Sequence, residues 1–183
     1  MHDLLIHGGT VVGPAGAGNF DVLIDDGKIT AITTKSKDLP EASRSIDATG
    51  KIVVPGGVEP HAHIGGPRQP ERSGALAVSK AAIFGGTTTV LDFATQIPGH
   101  DLYHAVEEAE ERWAGNAFTD YAYHPILTHG AGIDSIRQIP ELVTEGIASF
   151  KIFTTSIRPP SPQMQNNHTD FGRLSEIMDQ VQE

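Results

Sequence analysis

The chain has 183 residues, of which 38% are hydrophobic and 20% charged, enough for one ordinary domain or for a small domain with part of a larger one. It contains no run of about 18 apolar residues that could span a bilayer, and its net charge of -10, without a Lys/Arg cluster, argues against a nucleic-acid groove. The absence of cysteine excludes a disulfide framework and a Cys-based zinc site, so any metal must be held by His, carboxylate or a less usual donor.

The opening MHDLLIHGGT has neither a basic region nor an apolar stretch long enough for a signal peptide, which predicts a cytoplasmic protein. Residues 1–54 read as a small β module of short strands: DLLIHGG, TVVGPAGAG, FDVLIDDGKITAITT and SIDATGKIVV. Between VLI and ITAI, Asp26-Gly27 predicts a hairpin, because both turn positions accept positive φ at low cost. From residue 55 the pattern changes to alternating strands and helices. VEPHAHI, TTTVLDFA, TDYAYHPILT and SFKIFTT are the expected strands. The expected helices are SGALAVSKAAIFGG, DLYHAVEEAEERWAG, DSIRQIPELVTEG and DFGRLSEIMDQVQE. Asp101 is the expected N-cap of the second helix and Gly115 its stop, Trp113 packs inward beneath a solvated EEAEER face, and Pro140 bends or offsets the third helix.

Four β/α units with apolar strands imply a parallel sheet covered by helices, hence a doubly wound sheet or a (β/α)₈ barrel. The alternation ends inside the fourth helix, so residues 55–183 are expected to form the first half of a (β/α)₈ barrel, in a fragment or in one piece of a complementing pair. A compact four-stranded α/β domain is the alternative.

His61 and His63 carry the chemistry at the end of the first of these strands. Alternation along a strand puts Glu59, His61 and His63 on one face, where two imidazoles can meet one ion. A Gly-rich loop follows them, and strand carboxyl ends are where barrel active sites sit. Lys151 is the second anomaly, in a strand flanked by Phe150, Ile152 and Phe153, where an unpaired ammonium costs several kcal/mol. It can be ion-paired, or carry its amine out to the barrel mouth. It can also be neutral and nucleophilic, and then combine with CO₂ to give a carbamate that bridges two metals.

Together PGGVEPHAHIGGP, AAIFGGTTTVLDFA, DYAYHPILT and SFKIF resemble the dihydropyrimidinase/D-hydantoinase branch of the amidohydrolase superfamily. The phrases IHGGTVV and IDATGKIVVPGG are similar to that family's small β-sandwich, so the resemblance runs through nearly all of the chain. It implies a β-sandwich module over 1–54, a (β/α)₈ hydrolase barrel from 55, and a centre of two divalent metals, usually zinc. His61 and His63 match metal ligands of the first strand, and Lys151 matches the lysine carboxylated by CO₂ that bridges the metals. The implied reaction opens a cyclic amide, a dihydropyrimidine or a 5-substituted hydantoin, by attack of a metal-bridging hydroxide. A homotetramer or homodimer is implied as well, with no nucleic-acid or membrane partner.

The family's remaining histidine ligands and its catalytic aspartate belong to later strands, and the expected aspartate lies beyond Glu183. Ser156 stands where the family pattern SFK-x-F-x-x-Tyr has a tyrosine that helps hold the substrate oxyanion, and is the expected substrate-binding residue here. The GGPRQPER loop also differs from the bulkier apolar loop of hydantoinases; its Arg68 and Arg72 either meet an anionic substrate or are merely exposed. Asp92 can be read as a ligand or as a cap of the next turn, His124 as facing the barrel or the helix layer, and His168 as a substitute ligand or a solvated loop residue. His2, His7, His100, His104 and His129 read as ordinary surface or core histidines. An allantoinase or dihydroorotase is the rival within the same chemistry, and a non-catalytic scaffold like the collapsin-response-mediator proteins is the rival outside it.

Overall fold

The computed structural model describes residues 1–34, 38–65, 73–97, 99–128, 131–154 and 170–182. The chain divides into two compact units, Met1–Gly56 and Gly57–Glu183.

The first unit is all β. Strands β1 (His2–His7), β2 (Thr10–Gly13), β3 (Gly16–Asp25), β4 (Lys28–Thr34), β5 (Ala42–Asp47) and β6 (Ile52–Val53) form a six-stranded sheet in the order β5-β1-β3-β2-β6, with β4 paired to β3. The length of β3 lets its first residues pair with β2 and its last with β1 and β4. Asp26 and Gly27 have φ of 50° and 71° between the paired Asp25 and Lys28, the positive-φ two-residue turn that Asp-Gly favours. Leu5, Val11, Val22 and Leu23 are the buried apolar side chains of these strands, and Asp21 of β3 is buried beside them in sequence.

The second unit holds a parallel sheet, β7 (Gly57–Glu59), β8 (Thr87–Thr95) and β9 (Asp120–Ile126), in that order. Helix α1 (Ala75–Phe84) joins β7 to β8, and α2 (Leu102–Trp113) joins β8 to β9. Leu102, Ala105, Ala109 and Trp113 are buried on α2 at helical spacing, and the two alanines let the helix approach Val90 and Ala94 of β8 closely. Asp101 caps this helix by accepting the His104 N–H at 2.9 Å, as its position predicts.

Three expected elements differ in extent. The segment after β7 leaves regular strand at Pro60, which has no N–H for the ladder, so His61 and His63 lie just past the strand end. The expected third helix is two short ones, α3 (Ile133–Arg137) and α4 (Ile139–Thr144), with Pro140 in the first turn of α4, where the missing N–H costs least. The expected strand around Lys151 is a single parallel bridge, Ile126 to Lys151, flanking β9. Helix α5 (Phe171–Gln182) follows, and its Ile177 packs with Leu102, Leu127, Ile136, Ile139 and Leu142 in a second apolar cluster.

Candidate functional site

Strand parity on β8 separates two functions. Val90, Asp92 and Ala94 are buried, with Val90 and Ala94 packed beside α2, whereas Phe93 on the opposite face meets the rings of His61 and His63. The Phe93 ring lies 4.7 Å from that of His61, edge-on, and 4.3 Å from that of His63, stacked. The two imidazoles are 5.4 Å apart, centroid to centroid.

Lys151 reaches the same place from the other side of β9. Its backbone N–H donates to the Pro125 carbonyl at 2.9 Å, and its carbonyl accepts from the Leu127 N–H at 3.0 Å, which fixes the residue at the sheet edge. Its Nζ lies 3.2 Å from His61 Nε2, and 4.5 Å above the Phe93 ring centroid. Were Lys151 an ammonium, which only donates, His61 Nε2 would be the acceptor at this contact; a neutral amine can take either role. Lys151 is half-buried and both histidines are exposed, so the cluster opens to solvent with its amine carried outward.

His124 belongs to the same face, because it is the register partner of Phe93 and their ring centroids are 5.4 Å apart. Its Nε2 is 2.9 Å from the Pro60 carbonyl and its Nδ1 is 2.6 Å from the Ser149 hydroxyl. Asp92 is not part of the cluster. Its buried carboxylate accepts from the backbone N–H groups of Ile64 at 3.1 Å and Phe93 at 2.7 Å, and from Trp113 Nε1 at 2.9 Å, with Arg112 Nη2 at 3.4 Å. It thereby ties the residue after His63 to β8 and α2. Glu59 turns its carboxylate onto the His61 N–H at 3.0 Å, and lines a cleft of about 330 Å³ against Ala77, Val78 and Ala81 of α1.

The sequence reading had no signal for Phe93 beyond strand parity, yet its ring is the common floor under His61, His63 and Lys151. Ser156, Arg68, Arg72, His129 and His168 lie outside the described residues. Among the described residues, no group of three or more His, Cys, Asp or Glu side chains could hold a metal ion. The cluster thus offers two imidazoles and one primary amine. An ammonium cannot ligate a metal, so this donor set fits one only if the amine loses its proton or becomes an anionic carbamate.

No family model matches the chain. A D-hydantoinase of Streptomyces coelicolor is 35% identical over 158 residues, which are 81% of this chain and 33% of that protein. A D-hydantoinase of Geobacillus stearothermophilus is 37% identical over 157 residues, 81% of this chain and 32% of the relative. Among solved structures, a D-hydantoinase superposes with a TM-score of 0.79 at 33% identity, covering 98% of this chain and 37% of the other. A dihydropyrimidinase from Brevibacillus agri superposes with a TM-score of 0.82 at 30% identity, covering 99% and 38%. The chain spans about a third of the length of the curated relatives it matches. Over that third, it belongs to the dihydropyrimidinase/hydantoinase family.

Proposed function

We propose that His61, His63 and Lys151 are the part of a metal-dependent active site carried by this chain, and that the whole protein opens a cyclic amide of the hydantoin or dihydropyrimidine type. The observation that carries this reading is the 3.2 Å approach of Lys151 Nζ to His61 Nε2, beside His63 and over Phe93, at the carboxyl ends of parallel strands. The names of the relatives, D-hydantoinase and dihydropyrimidinase, support the substrate class.

In this reading His61 and His63 hold divalent metal, zinc, through neutral imidazole nitrogens. The neutral Lys151 amine attacks the carbon of CO₂, a new N–C bond forms, and the nitrogen releases a proton to solvent. The resulting carbamate supplies the anionic oxygens that the donor set otherwise lacks. Two metals, once bound, supply Lewis acidity for the amide carbonyl and a lowered pKa for water. Ser156, outside the described residues, is the expected substrate-binding residue in this reading. On the same reading, residues 1–54 are the amino-terminal part of a β-sandwich and 55–183 the first four units of a (β/α)₈ barrel, in a cytoplasmic homotetramer or homodimer.

Native mass spectrometry with metal analysis, followed by ring-opening assays on a 5-substituted hydantoin and a dihydropyrimidine, tests the proposal. Bound zinc, the added mass of one CO₂, and loss of both in Lys151→Ala and His61→Ala are expected. Undiminished ring opening by either variant rejects the site. A folded protein without metal, inert towards both rings, favours the scaffold.

A further inference from the structure

We propose that His124 is a positioning residue: its ring, with the proton on Nε2, ties the backbone in front of His61 to the segment in front of Lys151 and so sets the spacing of the two. The functional meaning of this tie rests on the metal reading above; its contacts do not. The Pro60 carbonyl only accepts, so the 2.9 Å contact requires Nε2 to donate. In the neutral ring, Nδ1 is then left with a lone pair, which accepts the Ser149 hydroxyl at 2.6 Å. Both ring nitrogens are thereby committed, and His124 has none to offer a metal.

Both segments are sparsely laddered, and past the strand end the one through His61 is held to β8 by the Ala62 N–H on the Leu91 carbonyl at 3.0 Å and by the Ile64 N–H on Asp92. Regular strand ends at Glu59, two residues before His61, because Pro60 has no N–H. On the other side Ser149 lies outside any strand, and Lys151 two residues later is attached by a single bridge. His124 itself stands on a firm base, since β9 pairs with β8 continuously from Asp120 to Ile126. One imidazole on a well-laddered strand therefore joins two poorly laddered ones, and the 3.2 Å between Lys151 Nζ and His61 Nε2 lies directly beyond it.

The test compares His124→Gln, which retains an N–H donor of similar reach, with His124→Leu, which has none. Neither carries a ring, so ring-current differences cancel between them. Two quantities are read on the purified chain: zinc affinity by competition with a chromophoric chelator, and the His61 ring signals of the metal-free, ¹⁵N-histidine-labelled protein. The Leu variant is expected to lose about tenfold or more in zinc affinity and the Gln variant under about threefold. His61 signals are expected to differ between Leu and Gln, and those of Gln to lie near wild type. Zinc affinity and His61 signals that are the same in Leu and Gln overturn the proposal. If the wild-type chain takes up no zinc, its three donors do not hold the metal by themselves, and the His61 signals alone decide the positioning role. If the Leu variant does not fold, Ser149→Ala replaces it: displaced His61 signals support the tie, and unmoved signals overturn it.

Discussion

A buried carboxylate with four donors around it is a commitment, and Asp92 makes one on behalf of its neighbours. Its side chain is almost wholly excluded from solvent. One oxygen takes the backbone N–H groups of Ile64 and Phe93, and the other takes Trp113 Nε1 and Arg112 Nη2. Removing the acceptor strands these donors in a closed space, and the Arg112 charge loses its partner. Asp92→Ala is therefore expected to destabilise the fold by about 3–5 kcal/mol, measured by urea denaturation. A loss under about 1 kcal/mol would show that water replaces the carboxylate. Asp92→Asn is expected to cost less but to leave two donors facing its amide NH₂, whichever way the amide lies. The candidate cluster shows how far sequence reasoning reaches at this scale. His61, His63 and Lys151 are legible because their types are costly or unusual where they stand. Phe93 is not, since an aromatic on a strand is ordinary until the rings that pack on it are known. His124 was legible as a candidate, but only the register to Phe93 settles which face it takes.

The start of α2 shows what one element contributes. Asp101 accepts from His104 N–H at 2.9 Å, and its other oxygen accepts from Gln138 Nε2, also at 2.9 Å. Gln138 returns the bond by accepting the Leu102 N–H at 3.0 Å, so the helix start is stitched to the junction between α3 and α4. These donors, led by the His104 N–H, hold the Asp101 carboxyl below its ordinary value of 3.8. A depressed carboxyl pKa stabilises the fold fully above the unfolded value and loses that contribution as the pH falls through the folded one. Asp101→Ala is expected to cost about 1 kcal/mol at neutral pH, with the difference from wild type shrinking as the pH is lowered below 3.8. Thermal melts across that range check it, and a pH-independent difference would assign the loss to packing. Element types were legible along the second unit because helices and strands alternate with clear periods. Their ends were less so. Pro60 shortens the first parallel strand, Pro140 divides the third helix, and the segment around Lys151 reaches only a bridge because β9 is its one pairing partner in the described residues.

At the scale of the molecule, exposed apolar side chains oppose a large net charge. In the second unit Phe84 is 85% exposed and Phe171 90%, with Val58 and Leu76 also in the open; in the first, Ile29 and Ile52 stand out. The three residues of β7 are exposed as well, at an edge of the parallel sheet. Apolar surface marks a place where other protein binds only where it is contiguous, and Phe84, the most exposed large side chain of α1, is where that is tested. Covering one large side chain such as Phe84 contributes about 1.5–3 kcal/mol against an association cost of about 4–15 kcal/mol, so several must be covered together to hold copies in contact. The net charge of -10 acts the other way, by mutual repulsion of copies at low ionic strength. Repulsion between exposed charges is screened within about 10 Å at 0.1 M salt, whereas apolar contact is not weakened by it. Association of the purified chain is thus expected to increase with salt, the reverse of an interface built on ion pairs, and to fall when Phe84 is replaced by Asp. Sedimentation velocity at low and moderate salt separates these cases: a monomer at both, with no change in Phe84→Asp, would mean that the exposed side chains do not bind another copy, and association that weakens with salt would place charge rather than apolar surface at the contact.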